Sequence, residues 1–405
     1  MKAAGTIASG EAGGKMFSRL GLSGPSIQYM SSRFSSPTPV QELAIPVLLK
    51  GTSALMSAET GTGKTLGFLL PLVIRMQSFE QQRKVSGNST VARGKYFTQG
   101  PRTVVFSPTR ELSGQLFTQA KSLSHELKFK ARLWGNEKKK LGLEVVPDLV
   151  VSSPGTFLRE NKYNPALIES LVIDEVDAML FHNSGFTDEI TGFIKTLNQN
   201  CQIVCVGATA LKGDSWEWLK SIRKDAVKLK PNGGGNVLLP DTISVHFEQV
   251  EDREGYDKHG ALERALATFL FKKKSSRCII FCNSVASCRS THHVMTEKFA
   301  EECDSYCLHG EMRPLQREES WNAFSQSNPS SSSLKKRVLV CTDLSSRGLD
   351  VHDVDLVVIF DIPNSLPDLI HRAGRTGRAG RQGQVTFVVG RGEKQKVTQL
   401  LLGKN

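Results

Sequence analysis

Short apolar runs rich in β-branched residues recur along the chain, and stretches with the composition of helices lie between them. Most of the runs are followed directly by polar or glycine-rich residues. This order predicts an α/β fold with mostly parallel sheets, whose ligand-binding edge is formed by the carboxyl ends of the strands. The runs predicted to be strands are residues 103–106, 149–151, 171–173, 203–206, 278–281, 338–340, 356–359 and 385–389.

The length of the chain predicts more than one domain, because 405 residues exceed what one ordinary core accommodates. Three consecutive glycines at residues 233–235 break any regular element and suit a hinge. Two polar segments, residues 77–102 and 325–336, are predicted to be solvated insertions at the surface. The predicted parts are a leader at residues 1–15, a first domain at 16–230, a linker at 231–240, a second domain at 241–395 and a tail at 396–405.

The charge balance favours a polyanionic partner. The chain carries 52 Lys and Arg against 40 Asp and Glu, a formal net charge of +12. Nucleic acid is the leading interpretation, and a merely basic soluble surface is the alternative. The eight cysteines contain no CxxC spacing and are interpreted as reduced core thiols, which suits an intracellular compartment. The longest apolar stretch, residues 66–74, is too short to span a bilayer, so no membrane partner is expected.

A glycine-rich segment, AETGTGKT at residues 58–65, lies between an apolar run and a helical stretch. This context is typical of a phosphate-binding loop, in which backbone N–H groups converge on phosphate oxygens. Lys64 then supplies a cation to the β and γ phosphates, and the Thr65 hydroxyl can bind Mg²⁺. A chance glycine-rich turn is the alternative, since Ala58 stands where the general pattern has glycine. The predicted nucleotide-binding residues of this loop are Thr60, Gly61, Thr62, Gly63, Lys64 and Thr65.

An apolar strand at residues 171–173 ends in the sequence DEVD. Adjacent carboxylates at a strand tip can hold Mg²⁺ and activate water, which in-line attack on a γ phosphate requires. Asp174 fits the metal role and Glu175 the general base. A solvated helix cap is the alternative for such a cluster on its own, and the phosphate loop in the same domain favours the catalytic interpretation.

The segment HRAGRTGR at residues 371–378 places three arginines among glycines. Guanidinium groups presented in this way can reach a phosphate. Arg375 and Arg378 are candidates for arginine fingers that stabilise the transition-state charge. A basic solvated loop or an RNA contact is the alternative. The predicted catalytic residues are therefore Lys64, Glu175, Arg375 and Arg378.

In their order along nearly the whole chain, these motifs resemble the DEAD-box family of superfamily 2 RNA helicases. The resemblance implies two tandem RecA-like domains, each a mostly parallel sheet flanked by helices. Residues 37–41, PTPVQ, look like the Q motif. By this likeness Gln41 and the upstream aromatic Phe17 recognise adenine, so ATP is the preferred nucleotide. In the RGLD segment the likeness implies that Asp350 contacts the ATP ribose, with Gly348 beside it in the nucleotide site.

Further segments resemble the family motifs that grip the RNA backbone. Contacts to phosphate and 2′-OH groups make binding largely independent of sequence and selective for RNA, which agrees with the net charge. The residues that the resemblance assigns to RNA are Pro108, Thr109, Arg110, Glu111, Ser153, Pro154, Gly155, Asn283, Ser284, Gly310, Thr342, Asp343 and Arg347.

Four positions depart from the family pattern: DEVD replaces DEAD through Val176, Gly207 replaces the motif III serine, Thr156 replaces an arginine of motif Ib, and Trp134 interrupts a GG pair. The DEVD change leaves every carboxylate in place, so ATP hydrolysis should survive. The loss of the serine hydroxyl has the larger expected consequence.

In the family the motif III serine hydrogen-bonds the last acidic residue of motif II, here Asp177, and so links the ATP site to unwinding. With Gly207 this bond is lost, at a cost of about 0.5 to 1.5 kcal/mol. Thr209 and His371 remain as partners for Asp177. We therefore expect RNA-stimulated ATP hydrolysis with weaker strand separation.

The sequence predicts an RNA-stimulated ATPase that uses ATP and Mg²⁺, binds single-stranded or short duplex RNA, and unwinds short duplexes or remodels RNP particles, with ribosome-assembly proteins among the candidate partners. An ATP-gated RNA clamp or assembly factor is one alternative, and a DNA-directed translocase of related fold is another. The variant motifs look similar to those of plant organellar members, which suggests a plastid location; the nucleus and the cytoplasm are the alternatives.

Overall fold

The computed structural model describes residues 14–58, 62–85, 100–135, 146–161, 163–180, 186–207, 214–231, 239, 242–251, 257–271, 276–325, 335–343, 354–363, 366–377 and 381–401. The chain divides into two compact units, Met1–Asn232 and Gly233–Asn405, which we call the first unit and the second unit. The division falls inside the predicted linker, most of which lies outside the described residues.

The first unit is built on a parallel sheet with the order β3-β4-β2-β5-β6-β1-β7. Its strands are short and largely buried, as expected for apolar runs covered on both faces. They are β1 (Ala54–Ser57), β2 (Thr103–Phe106), β3 (Ala131–Leu133), β4 (Leu149–Ser152), β5 (Ser170–Asp174), β6 (Gln202–Gly207) and β7 (Val227–Leu229).

Successive residues of these strands point into two separate cores, one on each face of the sheet. Ala54 and Met56 belong to one core, whereas Leu55 between them belongs to the other. The helices of the first unit are α1 (Pro25–Ser31), α2 (Pro39–Leu49), α3 (Lys64–Val85), α4 (Arg110–Leu127), α5 (Pro154–Glu160), α6 (Val176–Leu180), α7 (Phe186–Thr196) and α8 (Asp214–Ile222). The first core includes residues of α1 to α4, and the second includes residues of α5 to α8.

The second unit repeats this construction around a parallel sheet with the order β10-β11-β9-β12-β13-β8. Ile279 and Phe281 of β9 face one core, and Cys278 and Ile280 face the other. The strands are β8 (Ile243–Gln249), β9 (Arg277–Cys282), β10 (Cys303–Leu308), β11 (Lys336–Thr342), β12 (Leu356–Ile359) and β13 (Gly383–Val389). The helices are α9 (Lys258–Phe271), α10 (Val285–Lys298), α11 (Pro314–Ser325), α12 (Leu366–Ala373) and α13 (Glu393–Leu401).

The structure confirms every predicted strand and corrects two predicted boundaries. Residues 77–85 were assigned to a surface insertion, but they are the last turns of α3. Most of them are good helix formers and none is glycine or proline, so the helix continues. Residues 396–401 were assigned to a tail, but they belong to α13, and Val397 is fully buried in a core of the second unit. Within the described part of the chain, every helix is too short or too polar to cross a membrane.

Candidate functional site

The glycine-rich loop lies between β1 and α3, as the sequence predicts, although Thr60 and Gly61 fall outside the described residues. Gly63 has a φ of +88°, and a Cβ atom there would lie 2.6 Å from Nε2 of Gln41, so glycine is required. Lys64 begins α3 and is buried, and its Nζ donates to the carbonyl oxygen of Ala58 at 2.6 Å. The ammonium group is thus held across the loop by one of the loop's own oxygens.

Gln41 connects α2 to the loop. Its Oε1 accepts from the backbone N–H of Thr38 at 3.1 Å, and its Nε2 donates to the carbonyl oxygen of Gly63 at 3.2 Å. The side chain is buried, so these bonds fix the end of the loop against α2. Phe17, the predicted adenine-recognising aromatic, is fully buried in the first core. Its role in nucleotide recognition stays a prediction.

Acidic groups of the DEVD segment lie at the end of β5. Asp174 is the last residue of the strand and is buried. Burial raises the pKa of Asp174 to about 7, with a further increase from the charge of Glu175 that Lys64 partly offsets. Glu175 follows with a φ of 53°, a left-handed conformation that costs a non-glycine residue about 1 kcal/mol. Asp177 begins the buried helix α6 with Val176.

The donor set of this edge fits a small divalent cation. The hydroxyl of Thr65 and the carboxylate of Asp174 are oxygen ligands, which Mg²⁺ prefers. The raised pKa of Asp174 means that burial outweighs the attraction of Lys64. Added positive charge beside the carboxylate would therefore favour its ionised form.

Gly207 lies at the same edge of the sheet. It ends β6, pairs with Ser57 at the end of β1, and accepts a hydrogen bond from the backbone N–H of Ala58 at 3.2 Å. The residue that replaces the motif III serine thus touches the start of the phosphate loop directly. Thr209, the other predicted coupling residue of this segment, lies outside the described residues.

Predicted RNA contacts of the first unit follow the paired strands β2 and β4. Arg110 is exposed, and the Thr109 side chain caps α4 by accepting a backbone N–H at 3.3 Å. Ser153 donates from Oγ to Oγ1 of Thr156 at 2.9 Å, so this hydroxyl pair stands where the family has an arginine. The side chain of Glu111 is not described. The residues brought to this edge are Pro108, Thr109, Arg110, Ser153, Pro154 and Gly155.

Thr156 and the interrupted GG pair lie side by side in the structure. Gly135 has a φ of +84°, and a Cβ atom there would meet Cγ2 of Thr156 at 2.6 Å. Trp134 packs edge-on against Phe157 and Tyr163, with centroid distances of 5.9 and 5.4 Å. The departures at Thr156 and at Trp134 are therefore one local change. A small Thr stands where the family has Arg, and it lies against Gly135, next to Trp134.

The predicted RNA contacts of the second unit follow three strands that are neighbours in its sheet. Gly310 lies after β10, Asn283 and Ser284 after β9, and Thr342 and Asp343 at the end of β11. Gly310, Asn283 and Ser284 are exposed. The structure thus brings these residues to one edge, while Arg347, Gly348 and Asp350 lie outside the described residues.

Arg372 connects this edge internally, and sequence reasoning did not single it out. Its side chain is 1% exposed and pairs through two nitrogens with the carboxylate of Asp343, the Nε–Oδ1 distance being 2.6 Å. It also donates to Oδ1 of Asn283 at 2.6 Å and to the carbonyl oxygen of Asp361 at 2.5 Å. The only sequence signal for this role is its place in the HRAGRTGR segment.

Both polar atoms of the Asn283 side chain are hydrogen-bonded. Its Oδ1 accepts from Arg372, and its Nδ2 donates to the carbonyl oxygen of Ile362 at 2.8 Å. Asp361 accepts bonds from Ser287 Oγ at 2.6 Å and the Asn283 backbone N–H at 3.0 Å, and it pairs with Lys258. Although burial acts in the opposite direction, the bonds from Lys258 and Ser287 lower the pKa of Asp361. These residues form a polar network that joins the ends of β9, β11 and β12.

Arg375 is buried, and its Nε donates to the carbonyl oxygen of His371 at 3.2 Å. His371 is also buried, in the last turn of α12. Arg378, the second predicted arginine finger, lies outside the described residues. The roles of these three residues in catalysis and coupling stay predictions.

Comparisons with known proteins identify both units. A family model described as "DEAD/DEAH box helicase" matches residues 38–213, and one described as "Helicase conserved C-terminal domain" matches residues 258–380. DEAD-box ATP-dependent RNA helicase 39 of Arabidopsis thaliana is 32% identical over 90% of this chain and 57% of its own length. ATP-dependent RNA helicase DRS1 of Candida albicans is 29% identical over 92% and 56%. The chain thus spans little more than half of these relatives.

Solved structures establish the fold. S. cerevisiae Dbp5 bound to RNA and ADP BeF3 has a TM-score of 0.75 at 24% identity, covering 96% of this chain and 94% of that one. Mss116p bound to ssRNA and AMP-PNP has a TM-score of 0.76 at 21% identity, covering 95% and 76%. The predicted pair of RecA-like domains, each a parallel sheet flanked by helices, is confirmed.

Proposed function

We propose that the chain is a member of the DEAD/DEAH box helicase family and acts as an RNA-stimulated ATPase that unwinds short RNA duplexes or remodels RNP particles. One observation carries the proposal. The buried ammonium of Lys64 and the buried carboxylate of Asp174 lie at the carboxyl edge of one sheet, and Gln41 hydrogen-bonds into the loop that Lys64 ends.

In the nucleotide site, Lys64 exchanges the carbonyl oxygen of Ala58 for phosphate oxygens, since a charge-assisted contact to phosphate is the stronger one. Gln41, already bonded to Gly63, positions the adenine edge against the loop. Glu175 accepts a proton from the attacking water. Thr65 and Asp174 would hold Mg²⁺, which would supply positive charge beside the phosphates.

The RNA grip is proposed to come from exposed groups at the carboxyl edges of both sheets. In the second unit the Arg372 network holds the ends of β9 and β11, so Asn283, Ser284 and Asp343 are presented by a rigid frame. Such groups contact the sugar-phosphate backbone of RNA and do not distinguish one base from another. Binding is therefore expected to be tolerant of RNA sequence and to weaken as salt rises.

A second candidate function is an ATP-gated RNA clamp with weak unwinding. Gly207 favours it, because this residue lies beside the phosphate loop and lacks the hydroxyl that the family uses to couple hydrolysis to strand separation. The predicted hydrolytic groups Lys64 and Glu175 favour turnover instead. A DNA-directed translocase is the remaining alternative. Competition between RNA and DNA of the same sequence for binding to the protein separates it from both RNA-directed functions.

The deciding experiment measures ATP hydrolysis with and without single-stranded RNA, for the wild type and Glu175→Gln, together with release of one strand from a short duplex. RNA-stimulated turnover that Glu175→Gln removes, accompanied by strand release, supports the helicase. Tight ATP-dependent RNA binding without turnover supports the clamp. Absence of ATP hydrolysis and of ATP-dependent RNA binding at saturating RNA would contradict both.

RNP or ribosome-assembly partners and a plastid location also belong to the proposal. The location rests on the variant motifs described above. Imaging of a fluorescent fusion of the full chain tests it: signal confined to the nucleus or cytoplasm would contradict the plastid prediction.

A further inference from the structure

Two cysteine sulfurs of the second unit lie in contact. Cys288 is on α10 and Cys307 is on β10, and their Sγ atoms are 3.6 Å apart. Cys288 is fully buried, whereas Cys307 is partly accessible. A helix residue and a strand residue 19 positions apart thus form a dithiol with one face open to solutes.

The environment makes the two thiols chemically unequal. The contact with Cys288 lowers the pKa of Cys307, against the effect of burial, and the charge of Arg289 lowers it further. The same contact, together with burial, raises the pKa of Cys288, whose thiol also lies 3.4 Å from the carbonyl oxygen of Val340. The accessible sulfur therefore has the greater thiolate character, which is the reactive form of cysteine.

We propose that Cys288 and Cys307 are an oxidisable pair that peroxides convert into an intramolecular disulfide. The thiolate of Cys307 attacks one peroxide oxygen, the O–O bond breaks, and hydroxide leaves, which gives the sulfenic acid. The sulfur of Cys288 then attacks the Cys307 sulfur, an S–S bond forms, and water leaves. In sum two thiols lose two electrons to one hydrogen peroxide, and two waters form.

The position of the pair connects it to the predicted RNA contacts, and this step rests on the proposed function. Arg289, next to Cys288, donates from Nε to Nε2 of His309 at 3.3 Å and pairs with Glu311 at 3.0 Å. The predicted RNA contact Gly310 lies between those two partners. An S–S bond needs about 2.05 Å, so oxidation shortens the present Sγ–Sγ distance of 3.6 Å. We expect part of this movement to be taken up by the end of β10 and the start of α10, which shifts the segment beside them.

The remaining cysteines provide controls. Cys303 lies on the same strand, is buried, and has its Sγ 3.5 Å from the carbonyl oxygen of Phe299. Burial raises its pKa to about 11, so it should resist peroxide. Cys303→Ser is therefore matched to Cys307→Ser in residue type and strand, and it leaves the proposed pair intact.

The test exposes the folded full chain to hydrogen peroxide, alkylates the free thiols, and maps tryptic peptides with and without a dithiol reductant. Cleavage after Lys and Arg, except before Pro, places Cys288 in peptide 278–289 and Cys307 in peptide 299–317. We expect these peptides to be joined in the wild type and in Cys303→Ser, and separate in Cys307→Ser. Cys288→Ala gives a second variant that lacks the pair, should Cys307→Ser fold poorly.

A parallel arm measures RNA binding of the same samples. We expect the oxidised wild type to bind RNA roughly tenfold more weakly, because displacements of about 1 Å at a contact have large effects, and the reductant to restore binding. Unjoined peptides at a peroxide dose that oxidises a free thiol would overturn the proposal. Joined peptides with unchanged RNA binding would overturn the claim that the disulfide weakens RNA binding. If the reduced protein binds no RNA, the proposed function fails, while the peptide map still decides the disulfide.

Discussion

Charged groups at the carboxyl edges of the two sheets are held in opposite ways. In the first unit Lys64 bonds a carbonyl oxygen of its own loop, and burial raises the pKa of Asp174 to about 7. In the second unit Arg372 pairs with Asp343 through two nitrogens, and hydrogen bonds hold the pKa of Asp361 below its ordinary value.

The difference lies in whether the carboxyl already has positive partners. Burial of Asp174 outweighs the attraction of Lys64, so added positive charge beside this carboxyl would favour its ionised form. Asp361 is 17% exposed and already accepts hydrogen bonds from neighbouring side chains. We therefore expect the first edge to respond to a change of charge, whereas the bonds around Arg372, which we call the frame, already hold the groups of the second edge.

The largest expected effect is a loss of ATP hydrolysis from a change at the first edge alone. Glu175→Gln removes the predicted base, so RNA-stimulated ATP hydrolysis should fall about 10²- to 10⁴-fold with little change in the free energy of unfolding. The matched control is Glu189→Gln, an exposed glutamate on α7. Steady-state hydrolysis and chemical denaturation measure both quantities, and turnover within a few-fold of wild type would refute the assignment.

The second effect is a loss of stability in the second unit when the hydrogen bonds of Arg372 are removed. Arg372→Ala removes the bonds to Asp343 and Asn283, and because Asp343 is 28% exposed and can be solvated, the loss should cost about 2 to 3 kcal/mol. Hydrogen exchange of the β9 and β12 amides measures the change. Arg264→Ala is the control, because that arginine is 42% exposed and its ion pair should contribute less than about 1 kcal/mol. Equal effects of the two variants would contradict the comparison.

The third effect depends on pH. Asp361→Asn should destabilise the second unit at neutral pH by about 1.5 to 3 kcal/mol, since it weakens charge-assisted bonds from Lys258 and Ser287. A carboxylate with a lowered folded pKa stabilises fully above its unfolded pKa, near 3.9, and the contribution is lost as pH falls through the folded value. The difference between wild type and variant should therefore shrink below about pH 4.

Denaturation at pH 7 and in acid measures this difference, with exposed Asp304→Asn on β10 as the control. A destabilisation that stays constant over the whole pH range would show that the carboxylate charge of Asp361 is not what holds the frame.

The fourth effect is smaller and concerns the nucleotide loop. Gln41→Ala removes the bonds to Thr38 and Gly63, so the KM for ATP should rise about fivefold to tenfold with a smaller change in kcat. Gln28→Ala, an exposed glutamine on α1, is the control. An unchanged KM would mean that the loop is fixed without α2.

The smallest effect concerns coupling. Gly207→Ser adds the hydroxyl that the family has at the end of β6, and one such bond is worth about 0.5 to 1.5 kcal/mol. We expect strand release per ATP hydrolysed to increase about threefold, with the hydrolysis rate nearly unchanged. Duplex release measured alongside phosphate release gives this ratio; a fall in the ratio would sink the role given to Gly207.

Sequence reasoning succeeded where a local pattern carries the structure. Continuous apolar runs predicted the strands, and the same pattern correctly placed Lys64 at the start of a helix and Asp174 at the end of a strand. It did not find Arg372, because the partners of that arginine come from residues 283, 343 and 361, which no local spacing connects. Cysteine spacing likewise gave no sign of the contact between Cys307 and Cys288, which lie 19 residues apart on a strand and a helix.

The backbone of Glu175 has a consequence for how this protein can change. Two non-glycine residues among those described have a positive φ, and Lys128 is one of them, at the C-cap of α4 where such geometry is ordinary. Glu175 is the other, at the tip of β5. Glycine there would relieve about 1 kcal/mol of strain. A laboratory selection for thermal stability alone should therefore enrich glycine at position 175. We expect the selected proteins to unfold at a higher temperature and to lack ATP hydrolysis.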